Sequence, residues 1–215
     1  MAICLLMNLA GCAQATDVSL ADGIVLIDPG HGGFDGGTSA DDGTIEKHLN
    51  LVIALCLRDL LVVCGVPVTM TRDTDSGLEE DSSVSIRHRK ISDMKNRLAM
   101  YEAAEVVISI HQNYFTQPQY SGTQLFYSQN SDRSAVLAEE IRCSVVEWIQ
   151  PQNTRALKAA GESIFLLHRT STPAVLVECG FLSHSDERAK LKTPAYQQQL
   201  AFAIMAGYWN YQQKM

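Results

Sequence analysis

Two histidines and two glutamates stand where an apolar run gives way to a loop or a helix. Ile24-Val25-Leu26-Ile27 leads into Asp28-Pro29-Gly30-His31-Gly32-Gly33, Val106 to Ile110 leads straight into His111, and Ala174 to Val177 leads into Glu178. Glu46 follows the glycine loop at the start of a helical stretch. Imidazoles and carboxylates ligate divalent cations and move protons near neutral pH. Some of them have a plainer reading: His31 could bond its own turn, and Glu46 could be an acid favoured in a first helical turn by about 0.3–1 kcal/mol. Glu178 resists that reading, because burying a lone carboxylate costs several kcal/mol, roughly, unless something compensates. Strand ends converge on one rim of an α/β sheet, so four such groups, far apart in sequence, describe a site assembled in space.

The remaining histidines read differently. His48 and His88 fall on polar helix faces, and His168 and His184 fall in loops beside Arg169 and Asp186, all four as surface groups. Gly30 to Gly37 holds five glycines but neither a G-K-[ST] ending nor G-x-G-x-x-G, which argues against nucleotide binding.

The elements that must position these groups alternate short β-branched runs with longer helical stretches, the pattern of a single α/β domain. Strands are expected at 24–27, 66–71, 106–110, 123–127, 163–167 and 174–177. A helix is expected from Ile45 to Cys64, capped by Thr44 and ended by Gly65. Another runs from Ser85 to Ala104 with Ile91, Met94, Leu98 and Tyr101 on its apolar face. Further helices span Ser131 to Ile149 and Thr193 to Tyr211. Asp73 to Asp81 carries five acids and reads as a solvated loop.

Composition narrows the classes. With 17 Lys and Arg against 24 Asp and Glu, the net charge of −7 argues against a nucleic-acid partner. Being 46% hydrophobic and 19% charged, the 215 residues suit a folded domain large enough to need no structural metal. Six scattered cysteines form no C-x-x-C pair and read as buried free thiols. Residues 1–21 read as an export signal or lipoprotein-like leader. Ala13-Gln14-Ala15 suits a signal peptidase, and Leu9-Ala10-Gly11-Cys12 resembles a lipobox, although no Lys or Arg precedes Lys47. Residues 22–215 then form the functional domain.

DPGHGG after a strand, Glu46 in TIEKHLNL, TRDTD at 71–75, RHRKISDMKNRL at 87–98, SIHQN at 109–113 and PAVLVECGFLS at 173–183 together resemble the zinc-dependent N-acetylmuramoyl-L-alanine amidases. The resemblance covers about residues 22–212. It implies a mixed, mainly parallel sheet flanked by helices on both faces, zinc held by His31, Glu46 and His111, and Glu178 as catalytic acid/base. Three protein ligands would leave zinc one open position for water. Glu178 would take that water's proton and deliver it to the leaving amine. The bond cut would join N-acetylmuramic acid to L-alanine of the stem peptide. His184 stands where the family usually has Asn, which questions a local loop contact.

The stretch from Ser85 to Phe115 most resembles the germination-specific cortex amidases. This implies spore cortex as substrate, on the way to muramic δ-lactam, and an activating lipoprotein partner; vegetative wall is the alternative. The implied location is exported: cell wall, extracellular space or the space between the forespore membranes, with membrane contact only through a lipid anchor at Cys12. Two rival readings are a carboxypeptidase-like zinc peptidase and a non-catalytic peptidoglycan-binding module.

Overall fold

In the computed structural model, which describes residues 23–215 except Pro118, short apolar runs pair into one six-stranded sheet. The expected leader, with Cys4 and Cys12, lies outside the described residues. In chain order the elements are β1 (Val25–Pro29), α1 (Glu46–Val63), β2 (Val68–Met70), α2 (Ile86–Glu102), β3 (Val106–Asn113) and β4 (Gln124–Tyr127). They continue with α3 (Asp132–Trp148), β5 (Lys158–Ala159), α4 (Phe165–Arg169), β6 (Ala174–Phe181), α5 (Ser185–Leu191) and α6 (Pro194–Gln212). The sheet order is β2-β1-β3-β6-β4-β5. The first four of these strands run parallel, β4 lies antiparallel against β6, and β5 runs parallel to β4. This is the mixed, mainly parallel sheet expected from the resemblance.

Strand side chains alternate between faces, and the two faces carry different cargo. Val25, Ile27, Ile108, Ile110, Val175 and Val177 point to one side, where they pack with Ile53 and Leu57 of α1, Leu137 and Ile141 of α3, and Leu200 and Ile204 of α6. Leu26, Val107 and Leu176 point to the other, against Tyr101 of α2 and Leu166 and Leu167 of α4. Continuing that second alternation brings Asp28, Ser109, His111 and Glu178 onto the same face toward the carboxyl ends of β1, β3 and β6. The smaller core thus ends in a polar cluster.

Several local expectations are corrected. Thr44 does not cap α1: Ile45 occupies that position without a side-chain cap, and the Thr44 hydroxyl bonds Asp42. The run 163–167 is not a strand but leads into the short helix α4, because its leucines pack onto the sheet face as a turn of helix. The strand of this region is β5, which pairs with β4 at the edge. Helix α5 was not expected; His184 caps it, its Nδ1 accepting from the Glu187 N–H at 3.3 Å, so the histidine at the family's usual Asn position performs a capping role. On α2, Ile91 is exposed while Asp93 and Arg97 are buried. Of the described cysteines only Cys179 is fully buried; Cys56 is partly buried, and Cys64 and Cys143 are exposed, all four unpaired. Within Asp73–Asp81, Asp75 and Glu79 are not free charges but pair with Lys47 and Arg89. No described helix is long and apolar enough to cross a membrane.

Candidate metal centre

The first histidine owes its position to the glycine loop. His31 has φ +63°, the only non-glycine residue with positive φ among the described residues. Such a conformation costs about 1–3 kcal/mol and persists only where surroundings impose it. Here the carbonyls on both sides are tied down: Arg72 donates to Pro29 and Gly30 at 3.0 Å each, and Arg97 donates to His31 at 2.6 Å. The His31 ring is aligned by Asp35, whose Oδ2 lies 2.9 Å from Nδ1, leaving Nε2 turned toward Glu46 at 3.3 Å. Lys90 of α2 bonds the same Asp35 oxygen.

Glu46 opens α1 and is buried, with both oxygens engaged. Oε2 accepts from the Thr38 N–H at 2.9 Å; Oε1 accepts from the Gln112 N–H at 3.1 Å and from Asn50 Nδ2 at 3.3 Å. His111 Nδ1 lies 3.0 Å from the same Oε1, and the two imidazoles meet edge-on with centroids 5.0 Å apart. One donor atom from each of His31, Glu46 and His111 lies within 4.8 Å of the others.

Room for a cation is built into the backbone. A side chain at Gly30 would collide with the His111 ring, and one at Gly37 would come within 2.6 Å of Glu46 Oε2 and 2.7 Å of the His31 ring. Two imidazoles and one carboxylate, with room left by two flanking glycines, are a donor set that would hold a divalent metal such as zinc.

Glu178 stands in register with His111 across β3 and β6. Its Oε2 is buried with no hydrogen-bond partner. Burial, reinforced by the charge of Glu46 and opposed by the two histidines, pushes its carboxyl up to about 7. For His31, burial works against protonation, yet hydrogen bonds donated to Asp35 and Glu46 outweigh it and lift the imidazole to about 9. Burial likewise opposes ionisation of Glu46, but His111 and His31 hold it far below the usual carboxylate range. Concentrated opposite charge and hydrogen bonds favour the charged forms of both a carboxylate and an imidazole. Such a concentration beside a carboxyl poised near neutrality is a functional-site signature.

The cluster opens into a cavity of about 410 Å³ whose far wall is apolar, from Met94, Ile164, Phe165 and Leu166. A larger cleft of about 570 Å³, around Tyr120, Asn153, Arg155 and Glu187, contains none of the four residues, so size alone does not locate the chemistry.

All four residues expected from the sequence therefore share one rim of the sheet, three converging and Glu178 alongside. Four further participants were not anticipated: Asp28, Asp35, Arg72 and Arg97. Asp28 was detectable by the reasoning used for Glu178, an acid at the end of an apolar strand. The arginines fall in two of the family-like stretches, TRDTD and RHRKISDMKNRL, but nothing there gives them a role at the site.

A family model described as N-acetylmuramoyl-L-alanine amidase matches residues 25–209. The germination-specific N-acetylmuramoyl-L-alanine amidase of Bacillus subtilis is 32% identical over 198 residues, covering 89% of this chain and 81% of that protein. The amidase AmiA of Escherichia coli is 25% identical over 230 residues, covering 87% and 75%. Among solved structures, the CwlD amidase of Clostridioides difficile, determined in complex with the GerS lipoprotein, superposes with a TM-score of 0.86 at 35% identity, covering 90% of this chain and all of that one, 100%.

Proposed function

The chain belongs to the N-acetylmuramoyl-L-alanine amidase family and is a peptidoglycan amidase; from that premise we propose that it works with a zinc ion held by His31, Glu46 and His111, that Glu178 moves the proton, and that its substrate is spore cortex. The observation that carries the reading is the unpartnered Glu178 Oε2, buried beside three converging donors. When bound, zinc supplies Lewis acidity, polarising the amide carbonyl and acidifying water.

The chain's own groups do the rest. Asp35 fixes the His31 ring, and Asn50, Thr38 and Gln112 fix the Glu46 carboxylate, so the donors need little reorganisation. Glu178 removes a proton from the attacking water and returns it to the amide nitrogen as the C–N bond breaks, leaving a lactyl carboxylate and a free alanyl amine. A carboxyl near neutrality suits both transfers. The apolar wall of Met94, Ile164, Phe165 and Leu166 excludes bulk water from one side of the bond.

Cortex is favoured over vegetative wall by the name of one relative, which is called germination-specific. The CwlD structure, solved with a lipoprotein, supports a lipoprotein partner for this chain. Action on wall polymer implies export, by the leader expected in residues 1–21. The test is mass analysis of fragments released from purified cortex and vegetative wall, with and without chelator. Free stem peptides beginning in L-alanine, lost with chelator and more abundant from cortex, are expected. Release of single C-terminal amino acids would establish the carboxypeptidase alternative, and binding without release the non-catalytic one.

A further inference from the structure

Two buried guanidinium groups converge on the backbone that carries His31. Arg97 lies on α2 and Arg72 in the loop that follows β2, 25 residues apart in the chain. Arg97 Nη1 and Arg72 Nε both donate to the Pro29 carbonyl, at 3.2 and 3.0 Å; Arg72 Nη2 takes the Gly30 carbonyl at 3.0 Å and Arg97 Nη2 the His31 carbonyl at 2.6 Å. Three consecutive carbonyls are thus tied by two planar forks, across the one left-handed non-glycine residue of the described chain. An arginine fork presents donors in fixed directions, which a lysine ammonium does not.

Arg97 is itself oriented rather than simply neutralised. Its Nε donates to Asp93 Oδ2 at 2.9 Å, Nη1 pairs with Asp28, and Asp28 is held by Thr71, Tyr101 and Ser109. Asp93 in turn accepts from the Leu78 N–H at 2.8 Å through its other oxygen. None of these groups belongs to the three converging donors, yet their bonds end on His31.

We propose that Arg97, seconded by Arg72, is a positioning residue for metal binding: it holds His31 left-handed so that Nε2 faces Glu46 and His111. The inference rests on the metal reading above. Without the fork, His31 relaxes toward ordinary φ and its ring leaves the cluster, while the sheet beneath persists.

The experiment uses the full chain and zinc alone, by competition with a chromogenic chelator, together with thermal melting of the metal-free protein. Arg97→Lys keeps the charge opposite Asp28 but loses the fork; Asp93→Asn keeps the Leu78 contact but loosens the orientation of Arg97. Zinc dissociation constants about 10–100-fold weaker than wild type, in variants that still melt cooperatively without metal, are expected. If Arg97→Lys does not fold, Asp93→Asn decides. Zinc affinity within about twofold of wild type, with only the metal-free melting temperature lowered, would overturn the proposal, as would loss of folding in both variants. Failure of the wild type to bind zinc would instead refute the metal reading.

Discussion

His111 and Glu178 are register partners on adjacent parallel strands, so the pleat that buries Val107 and Leu176 also delivers both side chains to one face. Their juxtaposition needs no loop to arrange it. The rigid sheet sets the spacing between a metal-ligand candidate and a proton-transfer candidate, and the loops add His31 and Glu46 from the neighbouring strand and helix. A site on regular elements holds its geometry better than one on loops alone.

The close approach of His111 to β1 requires that Gly30 have no side chain. Gly30→Ala is expected to displace the His111 ring, reducing zinc retained after dialysis at least about tenfold, with a folding cost of about 1–3 kcal/mol from overpacking. Metal analysis alongside a urea melt checks both. Unchanged zinc content would show that His111 is free to move without losing the cluster.

Asp35 aligns the His31 ring through Nδ1. Asp35→Ala should weaken zinc binding by about 10–100-fold while leaving the fold intact, since the carboxylate is near the surface and its Lys90 partner can turn to solvent. Chelator competition measures the effect.

The Asp28 carboxyl gives the fold an acid limit. Burial alone would raise it, but Arg97, Tyr101 and Thr71 hold it well below the usual carboxylate range. The unfolded chain takes up this proton near pH 3.9, roughly, and the folded chain only at lower pH. The stabilisation is therefore complete above that unfolded value and is lost as pH falls through the folded one. Asp28→Asn should flatten the acid limb of stability below about pH 4. At neutral pH it should cost on the order of 3 kcal/mol, because Arg97 loses a buried partner. Urea melts between pH 3 and 7 distinguish the two effects.

Thiol exposure corrects the reading of the cysteines as uniformly buried. Alkylation of the native protein should label Cys64 and Cys143 readily and Cys179 only after unfolding. Cys179 is fully buried, and burial together with Glu178 pushes its thiol well above the ordinary range. Peptide mass mapping before and after denaturation provides the check.

The strands that carry Asp28, His111 and Glu178 were legible because continuous apolar runs flanked by glycine or polar residues mark buried parallel strands, although β3 and β6 continue past the expected ends at 110 and 177 to Asn113 and Phe181. The run at 163–167 was misread for the reason such runs are ambiguous: five apolar-rich residues suit either a strand or a helical turn, and tertiary packing against Leu176 chose the helix. Strand β5 is two residues at an exposed edge and leaves no pattern. Arg97 was hidden because its partners, Asp28 and the His31 carbonyl, lie 69 and 66 positions away. Helical periodicity reports which residues face inward when they are apolar. It is silent when the inward residue is an arginine matched to a distant acid.

Substitution of Glu178 separates metal binding from proton transfer. The residue's unpartnered oxygen beside the three donors is assigned the proton transfer, and glutamine would preserve its shape while removing that capacity. The decisive measurement is stem-peptide release from purified peptidoglycan by Glu178→Gln, with zinc content determined on the same sample. Wild-type zinc content and a rate lower by roughly 10²–10⁴-fold are expected. Full activity at normal zinc content would contradict this role for Glu178.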